Sequence, residues 1–347
     1  MISSVVKCRG IRILLVRIMF ATAVVAAAAG CGSAPSSPSS GGTASSSTGS
    51  SSTGSASSGP EQASITVDAI KSVTAAGLYL AEERGYFTDA GLRVTVVPVT
   101  GTSAAIPDLL TNHVQVIFGA YVAPILAQSK GAASLRFIAA GNVAGPGSQE
   151  VVVLPGSPIS SPAGLRGKTI GVNSLDDVGT LMIDSILSRY GIPSSAVHYV
   201  DIPFPEQAAA LAAHRIDAAY LTEPFLSDVR KKYGARTLFD CDQGAVADLP
   251  IAGFASTSAW AARNPRTVAA FVSAVEKGQT LADSDRSAVN AVLSAHIGIP
   301  VKTVAGAAVG TYPVGEHVQT APLQRLADLM LQYGLLKSHF NIATMVG

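Results

Sequence analysis

The chain has 347 residues, of which 48% are hydrophobic and only 14% are charged; an ordinary soluble domain has about 25% charged residues. Much of the apolar excess is alanine in amphipathic patterns, and no run of roughly 18 apolar residues is present, which excludes a polytopic membrane protein. The formal net charge is +1, but four of the 24 basic residues lie in the first thirty positions. The remaining 20 basic residues face 23 acidic ones, so no basic stripe is left to bind nucleic acid, and that class is excluded too.

The N-terminus has the pattern of an export signal, which we assign to residues 1–30. Its basic part carries four positive side chains and no acidic one: Lys7, Arg9, Arg12 and Arg17. The apolar stretch 18–29 follows and is too short for a membrane anchor. The sequence Ala-Ala-Gly-Cys, ending at Cys31, resembles the lipobox at which bacterial signal peptides are cut and the new N-terminal cysteine is acylated, with Ala28 where lipoboxes usually carry leucine. The alternative is ordinary cleavage at an Ala-x-Ala site, with Cys31 incidental.

Residues 31–62 are expected to form the lipidated cysteine and a disordered linker. The segment 32–60 contains only Gly, Ser, Thr, Ala and Pro, which leaves almost no apolar surface to bury. About 29 such residues reach about 30 Å as a flexible chain. A domain on this linker would stay close to a membrane surface and remain free to turn.

From Ala63 onward the hydrophobic period switches between strand and helix. The elements predicted in the first half are strand 65–70, helix 75–84, strand 92–99, a helix beginning at Gly101-Thr102-Ser103 with Ser103 as its N-cap, strand 114–118 and helix 122–129. Those predicted in the second half are strand 169–173, helix 178–190, strand 196–200, helix 206–214, strand 216–220 and helix 225–233. Those predicted after Pro250 are a strand over 251–256 and helices over 265–282, 287–296 and 322–333. This order is typical of mostly parallel sheets covered by helices.

The two halves form a weak internal repeat. Their alignment pairs Leu109 with Leu211, Val114 with Ile216, Gln115 with Asp217, and Tyr121 with Glu223. In open parallel sheets the ligand lies beyond the carboxyl ends of the strands. Tyr121 and Glu223 are therefore expected just past equivalent strands of two lobes that face each other across a cleft, and the chain is expected to return to the first lobe near Leu249.

Motifs of common catalytic and metal sites are missing from the sequence. Gly167-Lys168-Thr169 lacks the first glycine of a phosphate-binding loop and precedes a strand, so we reject nucleotide binding there. No H-E-x-x-H, G-x-S-x-G or C-x-x-C is present, and the six histidines are dispersed. Cys8 and Cys31 flank the export signal, which leaves Cys241 as a free structural thiol. We expect no catalytic residue, no metal and no cofactor.

Three stretches together resemble one known family. They are GLYLAEERGYF at 77–87 with GLRV at 91–94, LRGKTIGVNS at 165–174, and IDAAYLTEPF at 216–225. This combination resembles the solute-binding proteins of the nitrate/sulfonate/taurine type, including those for thiamine pyrimidine precursors, which serve ABC importers. The resemblance spans about Ile65 to Lys337. It implies an α/β type II periplasmic-binding-protein fold, in which two lobes joined by a hinge close over a small ligand.

The resemblance sets the expected organisation and function. The first lobe is expected over 63–154 and 250–347, and the second over 155–249. The protein is then the extracytoplasmic solute-binding component of an ABC importer, capturing a sulfonate, nitrate, taurine or pyrimidine-like solute and delivering it to a permease and its ATPase. We expect a monomer anchored through Cys31 at the outer face of the bacterial cytoplasmic membrane. The alternatives are a sensory lipoprotein without transport, and a same-fold enzyme of pyrimidine synthesis, although those enzymes carry a cysteine-rich motif and no export signal.

The ligand is expected at strand ends and helix starts that face the cleft. The candidate residues of the first lobe are Ser72, Gly101, Thr102, Ser103 and Tyr121, and those of the second lobe are Asn173, Ser174, Asp177, Gly179, Phe204 and Glu223. Tyr121 or Phe204 is expected to supply an apolar wall and Glu223 a hydrogen-bond acceptor. On this hypothesis Glu223→Ala weakens binding and leaves the stability of the unliganded protein unchanged.

The charge of the ligand stays open at this point. Free N–H groups at helix starts favour anions such as nitrate or a sulfonate. Asp176, Asp177 and Glu223 would repel an anion, which favours a neutral or amine-bearing ligand. The two aspartates can equally be ordinary helix caps, and Glu223 part of a structural turn.

Overall fold

A computed structural model describes residues 59–315 and 318–346. The expected export signal (1–30), Cys31 and most of the expected linker lie outside the described residues. In the described part of the chain, no helix has the length and apolar character needed to cross a membrane.

The described residues form strands and helices in alternation. The strands are β1 (Ser64–Ile70), β2 (Arg93–Val99), β3 (Val116–Ala120), β4 (Leu135–Val143), β5 (Gln149–Val153), β6 (Thr169–Val172), β7 (His198–Asp201), β8 (Ala218–Thr222), β9 (Arg236–Asp240) and β10 (Pro250–Thr257). The helices are α1 (Ala76–Glu83), α2 (Tyr86–Asp89), α3 (Thr102–Leu110), α4 (Val122–Ser129), α5 (Val178–Ser188), α6 (Phe204–Ala212), α7 (Phe225–Tyr233), α8 (Ser258–Arg263), α9 (Pro265–Ser284), α10 (Arg286–Ile297), α11 (Val301–Val304) and α12 (Thr320–Gln332).

Two five-stranded sheets of the same topology define two lobes. The first sheet has the order β2-β1-β3-β10-β4, and the second has the order β7-β6-β8-β5-β9. In the first, β1 is parallel to β2 and β3, whereas β10 is antiparallel to β3 and β4. In the second, β6 is parallel to β7 and β8, whereas β5 is antiparallel to β8 and β9. The prediction of two α/β halves is confirmed; of the four strand pairings in each sheet, two are parallel and two are antiparallel.

The internal repeat is visible in equivalent hydrogen bonds. The Thr66 N–H donates to Oε1 of Gln115 at 2.9 Å, and the Thr169 N–H donates to Oδ2 of Asp217 at 2.9 Å. The backbone N–H groups of Gln115 and Asp217 donate back to Thr66 O at 3.0 Å and Thr169 O at 2.8 Å. Each side chain thus joins the start of its lobe's first parallel strand to the segment before β3 or β8, as the alignment of Gln115 with Asp217 predicts.

The chain crosses between the lobes twice. β5 already belongs to the second sheet, so the first crossing lies between Val143 and Gln149, ahead of the expected boundary after residue 154. All five residues of β5 are buried, so its sequence shows no alternation that could assign it to either sheet. The second crossing lies between Asp240 and Pro250, where the return to the first lobe is expected. The Ala144 N–H donates to the Leu249 carbonyl at 2.9 Å and ties the crossings together.

Two local predictions need correction. Helix α3 begins at Thr102, and the extended residue Gly101 is its N-cap, so Ser103 lies inside the helix. Glu61 and Gln62, expected in the linker, are bound to the first lobe. Oε2 of Glu61 accepts a hydrogen bond from the Thr267 N–H at 2.8 Å, and Oε1 of Gln62 accepts one from the Trp260 indole at 2.9 Å. The folded domain therefore includes both residues.

Helices after β10 complete the first lobe, and α9 packs closely on α1. At their contact Gly278 faces Gly77, and a Cβ atom on Gly278 would overlap the Gly77 carbonyl oxygen. Phe271 of the same helix is buried and stacks on Phe87 of α2, with 5.4 Å between ring centroids. The glycine pair lets the two helix backbones approach directly.

Candidate functional site

A cavity lies between the two lobes and is lined by residues of both; we call it the interlobe cavity. Its lining residues are Ile70, Ser72, Thr74, Ala120 and Ile251 from the first lobe, and Gln149, Asn173, Asp177, Val178, Phe204, Tyr220 and Thr222 from the second. It encloses about 350 Å³ of empty space, counting the part open to solvent.

The ends and beginnings of strands place these residues at the cavity. Ile70, Ala120 and Thr222 are the last residues of β1, β3 and β8, which are parallel strands that end at the cleft. Gln149 is the first residue of β5, and Ile251 is the second residue of β10. Because both of these strands run antiparallel to their neighbours, they begin at the edge where the parallel strands end.

Two amide side chains in the cavity have hydrogen-bonding groups without partners among the described residues. Asn173 is only 8% exposed, and neither its amide oxygen nor its amide nitrogen is hydrogen bonded. Gln149 is 2% exposed, and its Oε1 accepts a hydrogen bond from the Tyr220 hydroxyl, while its Nε2 has no partner. Buried polar groups are nearly always paired. The cavity therefore offers one acceptor and two amide donor groups to a ligand.

The hydroxyl groups in the cavity are already engaged. Oγ of Ser72 and Oγ1 of Thr74 lie 2.6 Å apart and share a hydrogen bond. Oγ1 of Thr222 donates to the Ser148 carbonyl at 3.0 Å. These hydroxyls keep acceptor capacity, since each oxygen has two lone pairs.

Asp177 is the acidic group of the cavity and also the N-cap of α5. Its Oδ1 accepts a hydrogen bond from the Val178 N–H at 2.8 Å, and Thr180 completes a capping box. Burial raises the pKa of Asp177 to about 7, and the nearby Asp201 adds to the increase, while the Val178 hydrogen bond opposes it. No Lys, Arg or His lines the cavity. The electrostatics of the lining therefore disfavour an anionic ligand.

Aromatic side chains form one wall of the cavity. Phe204, the first residue of α6, stacks on Phe225 with 5.5 Å between ring centroids and an interplanar angle of 19°. The ring of Tyr220 lies beneath the first turn of α5, where a Cβ atom on Gly179 would come within 2.6 Å of it. Gly179 therefore permits the close packing of Tyr220. This packing is a structural reason for glycine at a position that we expected to contact ligand.

The structure brings four of the expected site residues into the cavity lining: Ser72, Asn173, Asp177 and Phe204. Ser103 and Ser174 face each other across the cleft, with 3.5 Å between their Oγ atoms. A Cβ atom on Gly101 would lie 3.3 Å from Cβ of Ser174. Thr102 instead bonds within the first lobe, where its Oγ1 accepts a hydrogen bond from the Ala120 N–H at 2.8 Å.

Tyr121 and Glu223 directly follow β3 and β8, as predicted, but neither residue lines the interlobe cavity. Tyr121 is 2% exposed and packs edge-on against Phe137, at 4.9 Å between ring centroids, in the core of the first lobe. The Glu223 carboxylate accepts hydrogen bonds from the Ser227 N–H at 3.1 Å and the Ser227 hydroxyl at 3.0 Å, at the start of α7. Burial raises the pKa of Glu223, and the Ser227 hydrogen bonds oppose this.

Sequence reasoning missed most of the remaining lining: Ile70, Thr74, Ala120, Gln149, Val178, Tyr220, Thr222 and Ile251. Thr222 directly precedes the Glu-Pro pair of the family motif, so its position beside the cleft could have been predicted from the sequence. Gln149 and Ile251 follow the crossings, and their placement depends on the direction of two antiparallel strands.

The lobes are in direct contact around the cleft. The Val73 N–H of the first lobe donates to the Glu223 carbonyl of the second at 3.0 Å. Farther out, Nζ of Lys231 donates to Oγ1 of Thr303 at 3.2 Å. The described arrangement is therefore closed.

The sequence matches the family described as NMT1/THI5 like over residues 72–285, which is more than half of the chain. The chain therefore belongs to this family, and the resemblance to nitrate/sulfonate/taurine solute-binding proteins is confirmed. A curated relative, the formylaminopyrimidine-binding protein of Halalkalibacterium halodurans, is 27% identical over 158 residues, which are 46% of each chain. The chain thus spans about half the length of this relative.

Solved structures of similar fold include both binding proteins and an enzyme. The alkanesulfonate-binding protein SsuA of Xanthomonas axonopodis pv. citri, bound to MOPS, has a TM-score of 0.71 at 20% identity, over 83% of this chain and 99% of its own. The desulfurization enzyme DSZB has a TM-score of 0.62 at 18% identity, over 82% of this chain and 96% of its own. These likenesses, with the two sheets above, confirm the type II periplasmic-binding-protein fold.

Proposed function

We propose that the protein is the extracytoplasmic solute-binding component of an ABC importer, which captures a small solute between its lobes and delivers it to a membrane permease and its ATPase. The observation that carries this proposal is Asn173, a buried amide without a partner in a cavity that both lobes line. Membership of the family and the N-terminal lipobox pattern support the same role. On this proposal Cys31 anchors the protein, as a monomer, at the outer face of the bacterial cytoplasmic membrane.

Among the expected solutes, the cavity favours an uncharged or cationic one over nitrate, taurine or another sulfonate. An anion would enter a lining that holds Asp177 and no cationic side chain. Amide groups such as those of Asn173 and Gln149 pair well with the donor and acceptor edges of nitrogen heterocycles, and carboxyl groups accept from ring amines. A pyrimidine-like solute fits this set, and the formylaminopyrimidine-binding relative supports it.

Binding without catalysis is the role that the cavity supports. Asp177 is the only carboxyl group in the lining, and no Cys or His accompanies it. Cys241 is fully buried, and burial raises the pKa of its thiol, so the reactive thiolate is disfavoured. The enzyme among the similar folds makes turnover worth testing: mass spectrometry of the recovered compound should find it unchanged.

Thermal unfolding with a panel of compounds tests the proposal. The panel contains nitrate, taurine, an alkanesulfonate, 4-aminopyrimidine, cytosine and a small amine. A compound at about a hundredfold excess over its Kd stabilises the folded state by about 2.7 kcal/mol. We expect an increase in Tm with an uncharged or cationic compound and none with nitrate or the sulfonates. An increase with anions alone would contradict the proposed charge of the ligand.

The variant Asn173→Ala tests whether the solute binds in the interlobe cavity. We expect this variant to lose about tenfold or more in affinity, because a buried ligand group loses its partner. Asn290→Ala is the matched control, since Asn290 is 7% exposed, has an unpaired Oδ1 and lies in α10, outside the cavity. Equal loss in both variants would argue against the interlobe cavity as the site. Uptake of the bound compound by cells with and without the gene then separates import from sensing.

A further inference from the structure

A second recess between the lobes adjoins the interlobe cavity; we call it the proline recess. Its lining residues are Ile70, Lys71, Pro98, Val99 and Thr100 from the first lobe, and Pro203, Phe204 and Pro205 from the second. Ile70 and Phe204 line both spaces, so the recess and the cavity lie on either side of these two side chains. None of the roles assigned above to the interlobe cavity involves the proline recess.

The recess differs from the cavity in size and in the polar side chains that line it. It has about 580 Å³ of empty space, counting the part open to solvent, compared with about 350 Å³ for the interlobe cavity. Six of the eight residues that line the recess are apolar. Both unpartnered amides, Asn173 and Gln149, line the interlobe cavity and not the recess. Lys71 is exposed at its rim and makes no ion pair among the described residues. Its aliphatic stem can cover an apolar group while the ammonium stays in water.

The backbone around the recess is stiff. Pro98 lies in β2, and Pro203 is the N-cap of α6, whose first residue is Phe204. Proline fixes its own φ, so these segments lose little freedom when a group packs against them. Because the two walls come from different lobes, an apolar group there is buried on both sides only when the lobes are closed.

We propose that the ligand has two parts, a polar end held by Asn173 and Gln149 in the interlobe cavity and an alkyl or aryl substituent that lies past Phe204 in the proline recess. This inference rests on the proposed function, because it extends the same site. A ligand of two parts is larger than the interlobe cavity alone would hold. It also makes apolar length a determinant of specificity.

The first test probes the recess without the polar end. The full chain is titrated with N-phenyl-1-naphthylamine, an uncharged aromatic probe whose fluorescence increases in apolar surroundings. We expect saturable binding that Val99→Asn weakens about tenfold, because the substitution places an amide in the apolar wall. The matched control is Val97→Asn, a 39% exposed residue of the same strand that does not line the recess. No saturable binding, or equal loss in both variants, would overturn the proposal.

The second test joins the two parts. Affinities are measured for 4-aminopyrimidine and its 5-methyl, 5-ethyl and 5-propyl derivatives, on wild type and Val99→Asn. We expect about fourfold tighter binding per added carbon, which corresponds to about 0.8 kcal/mol, in the wild type and a smaller gain in the variant. Binding of 4-aminopyrimidine without any gain along the series would overturn the two-part ligand and leave the proposed function intact. Probe binding in the recess without binding of any pyrimidine would instead keep the recess and reject the pyrimidine-like ligand.

Discussion

Asp177, which lines the interlobe cavity, also affects the pH dependence of stability. Burial raises its pKa to about 7, whereas an aspartate in an unfolded chain titrates near pH 3.9. Between these values the folded protein binds more protons than the unfolded chain. The free energy of unfolding therefore falls as the pH rises from about 4 to about 7, and it levels off above that range. Asparagine is also a good N-cap, so Asp177→Asn keeps the cap and removes the titration.

We expect Asp177→Asn to flatten this dependence. Urea unfolding at about pH 5 and about pH 8 should give a loss of stability with rising pH that is smaller by about 2 kcal/mol in the variant than in the wild type. Asp176→Asn is the control, because Asp176 is the exposed neighbour of Asp177. The same pH dependence in all three proteins would contradict the raised pKa of Asp177.

Glu223 is the residue whose expected role changes most. Its carboxylate holds the Ser227 N–H and hydroxyl at the start of α7, so Glu223→Ala should lower the free energy of unfolding by about 1 kcal/mol. The affinity for solute should change less than in Asn173→Ala, because Glu223 does not line the cavity. Calorimetric titration with urea unfolding separates the two effects. A large loss of affinity at unchanged stability would restore the role expected from the sequence.

At the scale of elements, the helices that follow a parallel strand were predictable, and so was β10, but the other strands with only antiparallel partners were not. The predicted bounds of α4 (Val122–Ser129) and α7 (Phe225–Tyr233) agree with the structure, because each begins just after a buried strand. β4, β5 and β9 were not predicted. β5 lies between β8 and β9 and is buried throughout, so only its long-range partners identify it as a strand.

The difference between parallel and antiparallel strands also decides which residues of the cavity lining could be predicted from the sequence. The rule that ligands lie at carboxyl ends of parallel strands leads to Ser72 and Asn173, and helix starts lead to Asp177 and Phe204. No local pattern shows that Gln149 begins a strand at the same edge, because that requires knowing that β5 runs antiparallel to β8. Tyr121 satisfies the local rule, yet its ring turns into the core against Phe137.

The contact between α1 and α9 gives a prediction for an element. Gly278→Ala places a methyl group against the Gly77 carbonyl, and separating the helices should cost about 1–3 kcal/mol of stability. Gly306→Ala is the matched control, because a Cβ atom there meets nothing within 4 Å. Urea unfolding measures both. Equal stability of the two variants would show that α9 moves away from α1 without loss of packing.

At the scale of the molecule, closure can be trapped across the cleft. The Cβ position of Gly101 lies 3.3 Å from Cβ of Ser174, close to the range of about 3.5–4.5 Å found in disulfides. The double variant Gly101→Cys, Ser174→Cys should cross-link faster when a bound solute favours closure. Mass spectrometry of quenched samples follows the reaction, and the single variants control for Cys241. A rate that does not respond to solute would mean that binding does not bring the lobes together.

The placement of the crossings has a consequence for how the lobes enclose a solute. β5 and β10 carry the crossings and also supply Gln149 and Ile251, so the floor of the cavity lies near the axis about which the lobes would rotate. The rim at Gly101 follows β2, which is three strands away from β10, or about 14 Å at about 4.8 Å per strand. Points far from an axis travel farthest. On the proposed function the rim therefore makes the larger movement that encloses the solute, and we expect substitutions at the rim to shorten its residence time more than they slow its entry.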